Sequence, residues 1–169
     1  MSAATRAAIG LGGNVGDVEA AFRFALERLS TDPHTTHATL SPLYATAPWG
    51  GIDQPRFLNA VAVIETTQPA QELMQQLLEI ERAAGRDRAN ETRWGPRRLD
   101  LDLLLHGESV IDSDGLQLPH PRLAERAFAL VPLLDVWPDA VIPGDGPARQ
   151  ALERLTQEDV AAVIAGRVG

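Results

Sequence analysis

The sequence predicts an α+β architecture, an antiparallel sheet with flanking helices and a C-terminal helical extension, on three observations. Residues 58–66 and 100–106 alternate or run apolar over strand length. Two segments, around 18–30 and 70–84, carry apolar residues at helical spacing. Read in order with the short apolar run at 7–11 and the Thr-rich stretch at 35–44, these elements give strand, helix, strand, strand, helix, strand, the order of a ferredoxin-like βαββαβ core with helices packed on one face of the sheet and the other face free for ligands.

The first strand, residues 7–11, leads into Gly12, Gly13, Asn14, Val15 and Gly16, a tight turn closed by Asp17 as helix N-cap. A Gly-x-Gly-x-x-Gly dinucleotide fingerprint starting at Gly10 fails at Val15, which favours a structural turn. Val18, Ala21, Phe22, Ala25, Leu26 and Leu29 then follow one helix face. After the break at Asp32 and Pro33, residues 35–44 read as one strand, rich in Thr and other strand formers. Residues 45–57 contain Pro48, Gly50, Gly51 and Pro55 around Trp49. A loop that long in a compact domain, with an aromatic inside it, points to function.

Pro69 opens the second helix, and Gly85 ends it behind the stripe Leu73, Leu77, Ile80 and Ala84. An arginine-rich loop at 86–98 precedes the strand at 100–106. Beyond lie a small hairpin (110–111 with 116–118), the turn Pro119, His120, Pro121 and Arg122, a short helix at 122–127, and helices at about 129–136, 147–155 and 158–165. The expectation is one domain spanning 1–169, with 156–169 as a peripheral tail.

Composition narrows the chemistry. The chain has 169 residues, 44% of them hydrophobic, which suffices for a substantial single core. No apolar run approaches the ~18 residues of a membrane span. The N-terminal residues pass into a strand without a signal-type segment, so a cytoplasmic protein with no membrane partner is expected. With no Cys, disulfides, thiolate nucleophiles and sulfur-ligated zinc are excluded. All 15 basic residues are Arg, so a Walker A loop, Schiff-base chemistry and a kinase-type Lys are excluded as well. The net charge of -8 argues against nucleic-acid binding. Arg82, Arg86, Arg88, Arg93, Arg97 and Arg98 nonetheless crowd one segment against only Asp87 and Glu91, a local charge suited to a small polyanion.

That segment runs into Asp100, Leu101 and Asp102. Alternation puts both carboxylates on one face of a strand and Leu99, Leu101 and Leu103 on the other. Such a pair is a platform for a hard divalent ion such as Mg2+, which takes carboxylates together with substrate phosphates. Arginine forks beside it would stabilise negative charge on a transferring phosphoryl group, so phosphoryl or pyrophosphoryl transfer is the reaction class the residues suggest. His120 is held between prolines. Trp49, Phe57 and Phe128 could sandwich a flat heterocycle, with Asn59 reading its edge.

The run Arg93, Trp94, Gly95, Pro96, Arg97, then Asp100, Leu101, Asp102, Leu103, Leu104, resembles the signature of the 6-hydroxymethyl-7,8-dihydropterin pyrophosphokinases of folate biosynthesis. Further blocks in the family's order are residues 9–17 and 54–59, Ile80 and Glu81 with Gly85 and Arg86, and 119–122. The resemblance implies pyrophosphoryl transfer from ATP to the pterin hydroxymethyl oxygen, with release of AMP. It implies two Mg2+ ions on Asp100 and Asp102, and charge stabilisation by Arg86 and Arg97. Glu81, Arg88, Trp94, His120 and Arg126 would serve ATP. Thr46, Ala47, Trp49, Phe57, Asn59 and Phe128 would line the pterin pocket. The partners are then small molecules, and a monomer is expected. Phe57 stands where a Tyr can occur, Gly115 where some members place an arginine, and residues 89–92 make the loop about one residue longer. Two other classes compete on the residues alone: a non-catalytic nucleotide- or pterin-binding domain, and a metal-dependent nucleotidyltransferase acting on nucleic acid.

Overall fold

A computed structural model of the chain describes residues 3–47, 55–85 and 98–168. The main sheet is built from β1 (Thr5–Gly13), β2 (Thr35–Leu40), β3 (Leu43–Thr46), β4 (Phe57–Thr66), β5 (Asp100–His106) and β10 (Arg167–Val168). Its order is β10-β3-β4-β1-β5, with β2 also paired to β4, and every pairing is antiparallel. The helices α1 (Val18–Ser30) and α2 (Ala70–Ala83) connect the core strands in the expected βαββαβ order. After β5 come a hairpin of β6 (Ile111–Ser113) and β7 (Leu116–Leu118), α3 (Ala127–Val136), a small ladder of β8 (Val141–Ile142) and β9 (Gly146–Pro147), then α4 (Ala148–Glu153) and α5 (Gln157–Ala165).

Local chemistry accounts for the boundaries. The Asp17 carboxylate accepts the Ala20 N–H at 3.0 Å and caps α1. Gly85, at φ 93, turns the chain out of α2. The expected strand at 35–44 is divided in two. Pro42 brings no N–H to the ladder, and Ser41 replaces the lost pairing by donating its N–H to the Val61 carbonyl and accepting the Val61 N–H on Oγ, both at 2.9 Å. The short helix expected at 122–127 is a single 3-10 turn, Leu123–Glu125, ahead of α3.

Both faces of the sheet are covered, each by its own set of helices. Val18, Phe22, Ala25 and Leu29 of α1 and Leu73, Leu77 and Ile80 of α2 pack on Ile9, Leu11, Ala60, Ala62, Leu101 and Leu103. Each such buried side chain contributes roughly 1.5–3 kcal/mol of transfer free energy. The sequence reading leaves the second face open to ligands, and that expectation is corrected at one end. There Leu123, Leu130 and Leu133 with Ala148 and Ala151 of α4 cover Ala8, Val61, Val63, Leu104 and Leu105. The cause is a bulge. The β1–β5 register slips so that Ala8 faces Leu105 while Ile9 faces Leu103, leaving Leu104 unpaired in the ladder. Leu104 and Leu105 therefore both enter the second-face core, and only the other end of that face, at Asp100 and Asp102, is left for a site.

Candidate active site

The two aspartates of β5 lie directly across from glycines, Asp102 beside Gly10 and Asp100 beside Gly12. Continuing along the same rows, Gly10 faces Val61 and Gly12 faces Asn59 on β4, and Asn59 in turn faces Tyr44 on β3. Paired residues share a face, so Asp100, Asp102, Gly10, Gly12 and Asn59 form one surface. The glycines have no side chains to raise it. With strands about 4.8 Å apart, the carboxylates and the Asn59 amide stand roughly 10 Å from each other across a bare floor. A Cβ on Gly12 would make ordinary contact with Asn59 Oδ1 at 3.4 Å, and one on Gly10 with Leu104 Cδ1 at 3.5 Å, so Asn59 and Leu104 border the two glycines. Glycines at alternate strand positions leave one face of the strand without side chains, a signal the sequence reading did not use.

Asn59 is 9% exposed and donates through Nδ2 to Thr46 Oγ1 at 2.7 Å, which orients its amide. Phe57, half-buried, faces Thr46 at the open end of β4, and Ala47 is exposed just beyond it. Thr46, Ala47, Phe57 and Asn59, which the resemblance assigns to the pterin, are thus brought together. Phe128 stands at the first turn of α3, packed against the cluster of Tyr44, Ala127, Val131 and Val163. The Arg126 guanidinium lies 5.5 Å from the centre of its ring.

His120 closes the carboxylate side. Its N–H donates to the carbonyl of Leu104 at 2.9 Å, so the bulged residue anchors the Pro-flanked turn. Its Nδ1 accepts the Arg122 N–H at 3.2 Å, which leaves Nε2 to carry the ring proton. Burial lowers its pKa to about 4, Arg126 and Arg122 add to that effect, and Asp100 opposes it. His120, Arg126 and Asp100 are therefore electrostatic neighbours, and the imidazole is neutral at pH 7. Because the unfolded chain takes up this proton near pH 6.5 and the folded chain only near 4, stability is full above 6.5 and declines as pH falls through that window. Urea titrations of wild type and His120→Gln between pH 7 and 4 should differ by on the order of 1–2 kcal/mol, allowing for solvent contact. Parallel pH profiles for the two proteins would exclude this shift.

Glu81, 1% exposed, reaches from α2 to accept the Leu101 N–H at 2.7 Å. Because β5 ends the sheet, that N–H faces outward, and Glu81 pairs the strand at the residue between the two aspartates. Arg98 leads into β5 beside the first glycine turn. A Cβ on Gly13 would stand 2.6 Å from the Arg98 carbonyl, and Arg98 Nη1 lies 3.6 Å from where one on Gly16 would be. Asn14 of the same turn donates to the Pro55 carbonyl at 2.9 Å. The turn thus ties down the chain on either side of the site. Arg86, Arg88, Trp94, Arg97 and Trp49 lie outside the described residues.

Among the described residues no group of three or more His, Cys, Asp or Glu could hold a metal. A site on Asp100 and Asp102 would need further oxygen ligands from substrate or water, which suits Mg2+. A groove of about 460 Å³ lined by Arg28, Asp32, Gln76 and Glu79 lies between α1 and α2, on the other side of the sheet. No helix among the described residues is long and apolar enough to cross a membrane.

Residues 8–138 match the family model described as 7,8-dihydro-6-hydroxymethylpterin-pyrophosphokinase (HPPK). The chain is 42% identical over 159 residues to the 2-amino-4-hydroxy-6-hydroxymethyldihydropteridine pyrophosphokinase of Methylorubrum extorquens, covering 94% of this chain and 99% of the relative. It is 41% identical over 138 residues to the protein of the same name from Pseudomonas aeruginosa, covering 82% and 84%. The crystal structure of wild-type Plasmodium falciparum HPPK-DHPS superposes with a TM-score of 0.65 at 13% identity. That likeness bears on the fold, and it covers 91% of this chain but only 45% of the Plasmodium chain. The chain belongs to the 7,8-dihydro-6-hydroxymethylpterin-pyrophosphokinase family and is an enzyme of that type.

Proposed function

We propose that this chain serves folate biosynthesis by transferring a pyrophosphoryl group from ATP to the hydroxymethyl oxygen of 6-hydroxymethyl-7,8-dihydropterin. One observation carries the reading: two carboxylates and an oriented amide share a face across a glycine floor, with a neutral histidine and an arginine at its side. Asn59 reads the heterocycle edge while Phe57 and Phe128 stack on its faces, and Thr46, Ala47 and Trp49 line the pocket. Asp100 and Asp102 would hold two Mg2+ ions, which would supply positive charge against the triphosphate and the attacking oxygen.

The remaining side chains bind and orient. His120 donates a hydrogen bond from Nε2 to a phosphate oxygen. Arg126 supplies fixed positive charge beside it. Arg86 and Arg97 stabilise the group in transfer, Arg88 and Trp94 cover ATP, and Glu81 stands at the nucleotide side. The hydroxymethyl oxygen gives up its proton to solvent and bonds to the β-phosphorus as the bond from that phosphorus to the α,β-bridging oxygen breaks, and AMP departs. The chain acts in the cytoplasm as a monomer and a single domain, on small molecules. Its net charge of -8 supports the exclusion of nucleic acid.

Incubation with ATP, Mg2+ and the hydroxymethyl dihydropterin should yield AMP and the pterin diphosphate in equal amounts. ADP as the nucleotide product, or no turnover, would overturn the assignment.

A further inference from the structure

We propose that residues 157–168 brace the pterin-binding wall, so that α5 and β10 set affinity for the pterin without contacting it. The inference rests on the functional reading above. It concerns residues beyond the 8–138 that match the family model.

The wall in question is β3, which among the described residues pairs with β4 through Tyr44, Ala45 and Thr46. Thr46 orients the Asn59 amide, so a displacement of β3 displaces the group that reads the heterocycle. On its outer side β3 is held by the C-terminal segment. Arg167 and Val168 pair with Tyr44 and Leu43, and the Ala45 N–H donates to the Gly166 carbonyl at 2.7 Å. Backbone lies on backbone here. A Cβ on Gly166 would fall 2.0 Å from the Ala45 carbonyl oxygen and 3.3 Å from its nitrogen, so any side chain at 166 must push the two segments apart. The glycine is required for space alone, since its φ of -85 and ψ of 4 suit any residue.

A second tie runs through Tyr44. The ring is 3% exposed and packs against Ala127 and Val131 of α3 and Val163 of α5. Its hydroxyl donates to Asp135 on α3. Burial and this carboxylate push the tyrosine pKa up to about 12, so the phenol stays protonated and the bond persists at working pH. Val160 of α5 packs on the same cluster as Phe128. The segment thus holds both sides of the pterin pocket, β3 with Thr46 and the start of α3 with Phe128, while the carboxylates on β5 lie three strands away.

The test compares Gly166→Ala, Tyr44→Phe and a chain ending at Ala165, measuring KM for ATP, KM for the pterin and kcat separately. Circular dichroism and a melting curve report the fold. The brace predicts a rise in pterin KM of about tenfold in Gly166→Ala and in the shortened chain, and a smaller rise in Tyr44→Phe, with ATP KM and kcat within about twofold of wild type. Unchanged pterin KM, or pterin and ATP constants moving together, would overturn it. If the shortened chain fails to fold, the two point variants decide. If wild type makes no AMP from this pterin, the functional reading fails by itself. The brace is then judged by amide exchange at Ala45, expected to quicken in Gly166→Ala and refuted if it does not.

Discussion

Asp102→Asn should lower Mg2+-dependent turnover roughly a thousandfold while moving the melting temperature by no more than about 3 °C. Asn keeps the shape of Asp but withdraws one negative charge from the platform facing Gly10 and Gly12. Several kcal/mol of charge stabilisation are lost with it, and each 1.36 kcal/mol is tenfold in rate. Stability is spared because the side chain lies on the half-buried site face, whereas Leu101 and Leu103 on the opposite face are buried in the core. Turnover assays across Mg2+ concentrations, with a melting curve on each protein, check both halves. Full activity at wild-type Mg2+ levels would remove the metal role from Asp102.

Much of this arrangement was legible from local signals. The Asp-Leu-Asp alternation, the helix face from Val18 to Leu29 and the stripe from Leu73 to Ile80 are period patterns that survive folding unchanged. What escaped depends on contacts between segments distant in sequence. Nothing in Thr39, Leu40, Ser41 and Pro42 marks a strand interruption except the proline, and its effect depends on Val61 offering a partner to Ser41. The bulge at Leu104 cannot be seen in Leu103, Leu104 and Leu105, because three leucines suit either face. Strand β10 has two residues, too few for any periodicity, and Gly166 looks like an ordinary helix stop until Ala45 is found against it. In the site, the chemical residue types were readable. The flatness supplied by Gly10 and Gly12 was not, since their value lies in standing opposite Asp102 and Asp100.

Glu81 separates these two kinds of information, because the resemblance assigns it to ATP while the fold gives it a second task. Its carboxylate accepts the outward N–H of Leu101 at 2.7 Å in a place 1% exposed. Glu81→Leu would leave that N–H buried without an acceptor, at a cost of about 2–3 kcal/mol, whereas Glu81→Gln keeps an acceptor oxygen and should cost less than about 1 kcal/mol. Urea unfolding of the three proteins measures this directly, as a lower midpoint at unchanged slope. An unaltered midpoint in Glu81→Leu would refute the structural role. Since Leu101 sits between Asp100 and Asp102, loosening it also loosens the spacing of the carboxylates. The Leu variant should therefore need more Mg2+ for half-maximal turnover, and the Gln variant should not. A Gln variant of normal stability and normal Mg2+ requirement that nevertheless shows a raised KM for ATP would place the carboxylate's charge on the nucleotide as well. The side chain of Glu81 would then serve both the strand of the two aspartates and the co-substrate.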